Sequence, residues 1–286
     1  MPFYYSRSLY DLHITGGFDG DIAELTNLLR GAILNRFRNQ VCDDLTRQCS
    51  HCTLKQVCLY AGLFENIEQN PRHLMPYILT LHAKDEAQNY ELEVILLASF
   101  LPTVPYFTHM LEKMAKDGFS HEHLKLQIRS FNTENRIFQW PDEMELDELE
   151  EISIQLTTPL CLFRDKKPLL HFEIGAFLAA LSRRAKDLND QYQQGKSEYI
   201  DTTLPWMDIP SLSTTIAVKD DLALVEWDRN SQKHHNEIHR KGLVGRVSFS
   251  GLGLASLIPW LILMEDFHVG KGSSFGLGQY RIIWGN

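Results

Sequence analysis

His268-Val269-Gly270-Lys271-Gly272-Ser273-Ser274-Phe275-Gly276-Leu277-Gly278-Gln279-Tyr280 places four glycines within nine residues. Glycine tolerates positive φ and carries no side chain, so the backbone of such a loop can approach a bulky partner closely. Amides left out of strand pairing can face a phosphate, and Lys271 adds a positive charge. The stretch lies between an apolar run, Leu252–Glu265, which reads as a helix, and Gln279–Trp284, which reads as a closing strand. It is not a nucleotide-binding P-loop, because the upstream glycine spacing and the preceding strand are missing. It is not a dinucleotide fingerprint either, because a strand follows it and not a helix.

Working outward from that loop, the second half of the chain reads as strand Ile152–Phe163, helix Leu169–Tyr192, a long polar and proline-bearing excursion, strand Ser213–Trp227 with a break at Lys219–Asp221, strand Leu243–Ser250, the apolar helix and the closing strand. The first half gives the same order. Ser6–Ile14 alternates as a strand, and Ile22–Asn39 shows one apolar helical face behind a cap at Asp21. Tyr77–His82 and Tyr90–Ser99 form a hairpin, Pro102–Lys116 a helix with Pro105 in its first turn, and Leu124–Phe131 a strand. Two βαββαβ passes predict an α+β fold of two tandem ferredoxin-like (RRM-like) units. We expect domains at 1–148 and 149–286, joined by the acidic run Asp142–Glu151, with a cysteine-rich insertion at 42–60 in the first.

The chain has 286 residues, 44% of them hydrophobic and 23% charged, which is enough for ordinary packed cores. Its formal charge is −9, but seven acids stand together between Asp142 and Glu151, and setting them aside leaves −2. From Asp228 to Arg246 the balance reverses, with five Lys or Arg against two acids and with His234, His235 and His239 among them. A phosphate chain responds to the local field of a groove and not to net charge. No apolar run is long enough to span a bilayer, and the N-terminal residues do not resemble a secretory signal, so a cytoplasmic protein with no membrane partner is expected.

Cys42, Cys49, Cys52 and Cys58 fall within 17 residues, and Cys161 is the one other cysteine of the chain. A close pair two residues apart with two outlying thiols suits one tetrahedral structural zinc, and an iron–sulfur cluster uses the same ligands. Four protein ligands would leave such a metal no open position for chemistry. Cys161, in an apolar strand, reads as a small buried residue.

The C-terminal loop in the second of two ferredoxin-like units resembles the signature of RAMP proteins, specifically the CRISPR repeat-RNA endoribonucleases of the Cas-six type. Thr158-Pro159-Leu160 with Phe163-Arg164 resembles the first strand of that family's C-terminal domain. Trp227-Asp228-Arg229-Asn230-Ser231, followed by Gly242-Leu243-Val244-Gly245, resembles its tryptophan, arginine, serine and glycine pattern. In the first half, Leu29-Arg30-Gly31-Ala32, Cys58-Leu59-Tyr60 and Leu63-Phe64-Glu65 are similar to bacterial members with a cysteine insertion.

The resemblance implies cleavage of CRISPR precursor RNA within its repeat, without a catalytic metal. A base takes the proton of a ribose 2′-hydroxyl, the oxygen attacks the adjacent phosphate, and an acid protonates the leaving 5′-oxygen to give a cyclic phosphate. Histidine suits both transfers. RNA binding then falls to Gly270, Lys271, Gly272, Ser273, Ser274, Gly276 and Gly278 of the loop, and to Arg229, Ser231, Lys233, Arg240 and Arg246 upstream. The implied partners are repeat RNA or crRNA, and other Cas proteins of an effector complex. The family's histidine on or near the first helix has no counterpart in Ile22–Asn39. His268, beside the loop, and His13, on the first strand with Arg7, are the catalytic candidates, and His51 is a further alternative. The competing readings are a crRNA-binding RAMP subunit that does not cut, and a zinc-stabilised interaction module without RNA.

Overall fold

The computed structural model describes residues 3–65, 73–119, 124–141, 149–192, 204–230 and 237–285, with the backbone alone at 228–230 and 237–239. The acidic run 142–148 and residues 231–236, with Ser231 and Lys233, lie outside the described residues. Chain packing separates two units, Phe3–Ile137 and Phe138–Asn286.

The first unit comprises β1 (Phe3–Thr15), α1 (Ile22–Val41), α2 (Leu59–Phe64), β2 (Tyr77–Ala83), β3 (Asn89–Leu97), α3 (Val104–Asp117) and β4 (Lys125–Phe138). Its sheet runs β2-β3-β1-β4, with β1 and β2 both antiparallel to β3. Leu25, Leu29, Ile33 and Phe37 of α1 are all buried, and their four-residue spacing makes one stripe against the sheet. Burying each such side chain contributes about 1.5–3 kcal/mol. The helix starts where expected, with the Asp21 carboxylate accepting from the Glu24 amide at 2.8 Å. Phe37 packs edge-on to Phe64 of α2, and Phe64 packs on Tyr77, so the chain after the cysteine segment is anchored in this core.

The second unit comprises β5 (Glu151–Leu160), a small hairpin of β6 (Phe163–Arg164) and β7 (Lys167–Pro168), α4 (Ile174–Tyr192), α5 (Ile209–Thr215), β8 (Ala217–Asn230), β9 (Glu237–Ser250), α6 (Leu254–Met264) and β10 (Tyr280–Trp284). The four main strands run β10-β5-β9-β8. In both sheets the unit's own fourth, first, third and second strands lie side by side, which is the ferredoxin-like order. Phe177 of α4 stacks on Phe249 of β9 at 5.9 Å, and the buried Tyr280 hydroxyl donates to the Leu261 carbonyl of α6 at 2.6 Å. That bond ties the closing strand to the helix that precedes the glycine-rich loop.

Several boundaries differ from the sequence reading. Lys219–Asp221 does not break β8, which pairs residue by residue with β9 from Ala217↔Ser250 to Asn230↔Glu237. β9 starts six residues before Leu243, and β4 continues seven residues past Phe131. The expected Leu169–Tyr192 helix starts only at Ile174, and residues 169–173 form a link between β7 and the helix.

Candidate nucleic-acid interface

The glycine-rich loop is folded tightly on itself and on the end of β5. The amide of Lys271 donates to the Cys161 carbonyl at 2.9 Å, and that of Gly278 to the Pro159 carbonyl at 2.9 Å. Val269 donates to Gly278, and Phe275, Gly276 and Leu277 donate within the loop. Among the described residues, the amides of Gly270, Gly272, Ser273 and Ser274 are not drawn into these bonds. The glycines therefore serve packing as well as approach. Gly270 has φ +90°, and a Cβ there would meet the Cys161 carbonyl oxygen at 2.6 Å. At Gly278, φ +72°, a Cβ would overlap the Val269 carbonyl. Gly276, at φ 81°, closes the short helical turn Ser273–Phe275. Lys271 is exposed, with its ammonium over the Phe163 ring at 4.7 Å from the centroid.

The basic segment upstream forms the far end of the β8–β9 ladder. The pairing of β9 with β5 ends at Leu160↔Leu243, so the residues beyond it form a two-stranded ribbon. On that ribbon Trp227 stands opposite Arg240, and Lys241 pairs with Glu226 at 2.6 Å. Arg229 pairs in register with Ile238. Arg246, exposed, lies nearer the sheet, opposite both Gln155 and Asp221. The ribbon joins the glycine-rich loop through one segment. A Cβ on Gly242 would meet the Pro159 side chain at 2.8 Å and the Cys161 sulfur at 3.3 Å. The Cys161 thiol donates to the Lys241 carbonyl at 3.3 Å. Burial pushes this thiol up to about 11, with the charges of Arg240 and Lys271 both acting in the opposite direction. Through these contacts and the Lys271 amide on the Cys161 carbonyl, the loop and the ribbon meet over residues 159–161.

The two candidate histidines differ sharply. His268 is fully buried, at 0% exposure, with φ +58°. In that position no ribose reaches its ring, so its burial speaks against the expected catalytic contact. His13, at the end of β1, is half-buried and lines an open groove of about 950 Å³ with Thr108, Glu112, Lys125, Arg129 and Phe131. Its Nδ1 lies 2.7 Å from Asn89 Oδ1, and the Asn89 amide nitrogen donates to Glu86 at 2.7 Å. An amide oxygen only accepts, so Nδ1 carries the proton and Nε2 is left as the base. Phe131, beside it, stacks on Tyr10 at 5.7 Å. Arg7 does not share this groove with His13 as expected; it pairs with the buried carboxylate of Glu93. His51 sits in the short turn Cys49–His51, within the cysteine segment.

The four clustered cysteines are half-buried free thiols. Cys42 ends α1 and donates to the Asp44 carbonyl at 3.3 Å, Cys49 opens a short turn that Cys52 closes, and Cys58 precedes α2. Burial raises the Cys49 pKa, and Glu65, Cys58 and Cys42 act in the same direction. Even so, no group of three or more Cys, His, Asp or Glu among the described residues is arranged to hold a metal.

The chain is built of two ferredoxin-like units, the second carrying a glycine-rich loop packed against its first strand. Residues 154–280 match the family described as CRISPR-associated endoribonuclease Cas6. Residues 24–149 match a family described only as an N-terminal domain. No curated protein matches by sequence. Among solved structures, a Cas6 product complex is similar over 99% of both chains at 13% identity and TM-score 0.59. A second Cas6 product complex covers 98% of this chain and 99% of its own at 14% identity and TM-score 0.53. A partial Cas6-RT-Cas1–Cas2 complex covers 99% of this chain and 46% of its own at 11% identity and TM-score 0.57. At such identities the likeness shows the fold. No helix among the described residues is long and apolar enough to cross a membrane.

Sequence reasoning missed Asn89, Lys125, Arg129 and Trp227. Trp227 was legible in the Trp-Asp-Arg-Asn-Ser string; the others come together only once β1, β3 and β4 are side by side.

Proposed function

We propose that the chain cuts CRISPR precursor RNA within its repeat, in the cytoplasm, by attack of a ribose 2′-hydroxyl and without a catalytic metal. The observation that carries this reading is the packing of the glycine-rich loop, with its exposed Lys271, onto residues 159–161 where the β8–β9 ribbon also meets them, inside the segment that matches Cas6. RNA backbone is gripped there by Lys271, by the amides of Gly270, Gly272, Ser273 and Ser274, and by the cations of the β8–β9 ribbon. His13 is the better base of the two histidines. With Nδ1 fixed by Asn89, its Nε2 takes the 2′-hydroxyl proton, a transfer that contributes about 10²–10⁴-fold. Lys125 or Arg129, lining the same groove, stabilises the charge of the crowded phosphorane. The 5′-oxygen leaves with a proton, and a cyclic phosphate and a 5′-hydroxyl remain. Repeat RNA is the substrate, and other Cas proteins are further partners, in keeping with the Cas1–Cas2 assembly of one structural neighbour.

A second reading is a RAMP subunit that holds crRNA without cutting it. The burial of His268 and the lack of a histidine on α1 favour it. Labelled repeat RNA incubated with the purified chain in EDTA separates the two. Cleavage with a cyclic phosphate end supports the endoribonuclease; a shifted but intact RNA supports the binding subunit; neither outcome leaves an RNA role standing if the RNA runs unshifted and uncut.

A further inference from the structure

We propose that Trp227 and Arg240 form a platform on which one base of the RNA stacks, a contact that rests on the reading of this surface as the RNA grip. The register sets the two residues directly opposite each other on neighbouring strands. Cross-strand partners hold their Cβ atoms about 4.5–5.5 Å apart, near enough for an indole and a guanidinium to lie side by side. The β5 pairing has already ended at Leu243, so among the described residues no third strand flanks this part of the ribbon. Trp227 and Arg240 are both only half-buried, which leaves part of a large aromatic surface without a protein partner.

Arg240 supplies a second sign. Its Nε is shielded from solvent and has no hydrogen-bond partner among the described residues. A shielded donor without an acceptor is uncommon in folded proteins. A nucleotide offers the complement of both features: a flat π face for the indole and a phosphate or base acceptor for the guanidinium. The location agrees. The Cys161 thiol donates to the carbonyl of Lys241, next to Arg240, and the Lys271 amide donates to the Cys161 carbonyl, so a strand whose phosphate sits at the glycine-rich loop passes within reach of the pair. Every base has a π face, so the platform grips one nucleotide without selecting its identity.

Binding of the full chain to 5′-labelled repeat RNA, and to a series of the same RNA with one base removed at a time, tests this. For the wild-type chain, removing one particular base is expected to weaken binding about 10-fold, the usual scale of a lost base–aromatic stack. Trp227→Leu, which keeps apolar bulk and removes the aromatic face, should show that loss with intact RNA and no added penalty at that position. Trp227→Phe should restore most of the affinity and the position-specific penalty. Wild-type affinity in Trp227→Leu, or base-removal penalties that persist undiminished in it, overturns the platform while leaving the RNA grip intact. Failure of the wild-type chain to bind the intact repeat overturns the grip itself and the platform with it.

Discussion

The amide of Lys271 donates to the carbonyl of Cys161 at 2.9 Å, and this bond seats the glycine-rich loop on the end of the first strand of its unit. Gly270, next in the chain, presses on the same carbonyl. A methyl at Gly270 would sit 2.6 Å from that oxygen at φ +90°. Gly270→Ala and Gly278→Ala are therefore expected to destabilise the second unit by about 2 kcal/mol or more each, as left-handed backbone strain adds to a clash with backbone. Gly276→Val, at φ 81°, belongs with them. Thermal melting checks this. Unchanged melting with weakened RNA binding would mean that these glycines serve the ligand and not the loop.

Lys271 is the loop residue whose role separates from folding. It is exposed and its ammonium rests over Phe163, a contact worth little at the surface. Lys271→Ala should leave melting within a degree or so. It should weaken binding across RNA sequences and reduce the slope of log affinity against log salt by about one phosphate contact. An unchanged slope would remove Lys271 from the RNA backbone.

The limits of the sequence follow from where periodicity originates. The βαββαβ order was legible twice because helices such as α1 bury one stripe and strands such as β5 bury one face. Beyond Leu243 the ribbon has no third strand among the described residues, and the sequence Glu237–Lys241 accordingly carries no alternation to read. β4 past Phe131 is exposed over most of its length and was cut short for the same reason. Lys219–Asp221 resembles a turn in composition, yet it is held extended by pairing with Arg246–Ser248 at the sheet edge. The glycine-rich loop was legible as a site, but its dependence on Pro159 and Cys161 is a contact across more than 100 residues. His13 was visible only as one histidine among several, because Asn89, which fixes its tautomer, arrives from another strand.

Thiol chemistry separates the five cysteines. Burial raises the Cys161 pKa to about 11, so at pH 8 only about one molecule in a thousand carries its reactive thiolate. Because burial disfavours the charged form, its reactivity should rise only as pH climbs toward 11. An aromatic disulfide reagent at pH 8 is expected to modify Cys42, Cys49, Cys52 and Cys58 in the folded chain and Cys161 only after denaturation. Release of a metal ion during the fast phase would place a metal on the four clustered thiols. Fast reaction of all five would show that the β5 end opens readily.

His13 and His268 are separated by where each sits. His268 is enclosed, and His268→Ala would empty a cavity next to the chain of loop bonds. It should lower the melting temperature, and cleavage per folded molecule should persist. His13 is half-buried on an open groove, so His13→Ala should leave melting and repeat binding near wild type while cleavage falls by about 10²-fold or more, the scale of a lost proton transfer. Asn89→Leu supplies the finer test. It removes the acceptor that fixes the Nδ1 proton, which frees the ring to take either tautomer. Cleavage should then drop by less than in His13→Ala, while binding is kept. Full cleavage in His13→Ala together with its loss in well-folded His268→Ala would move the base to the glycine-rich loop. Full cleavage in both would place the base on neither histidine, and the groove beside α3 would then have no part in the chemistry.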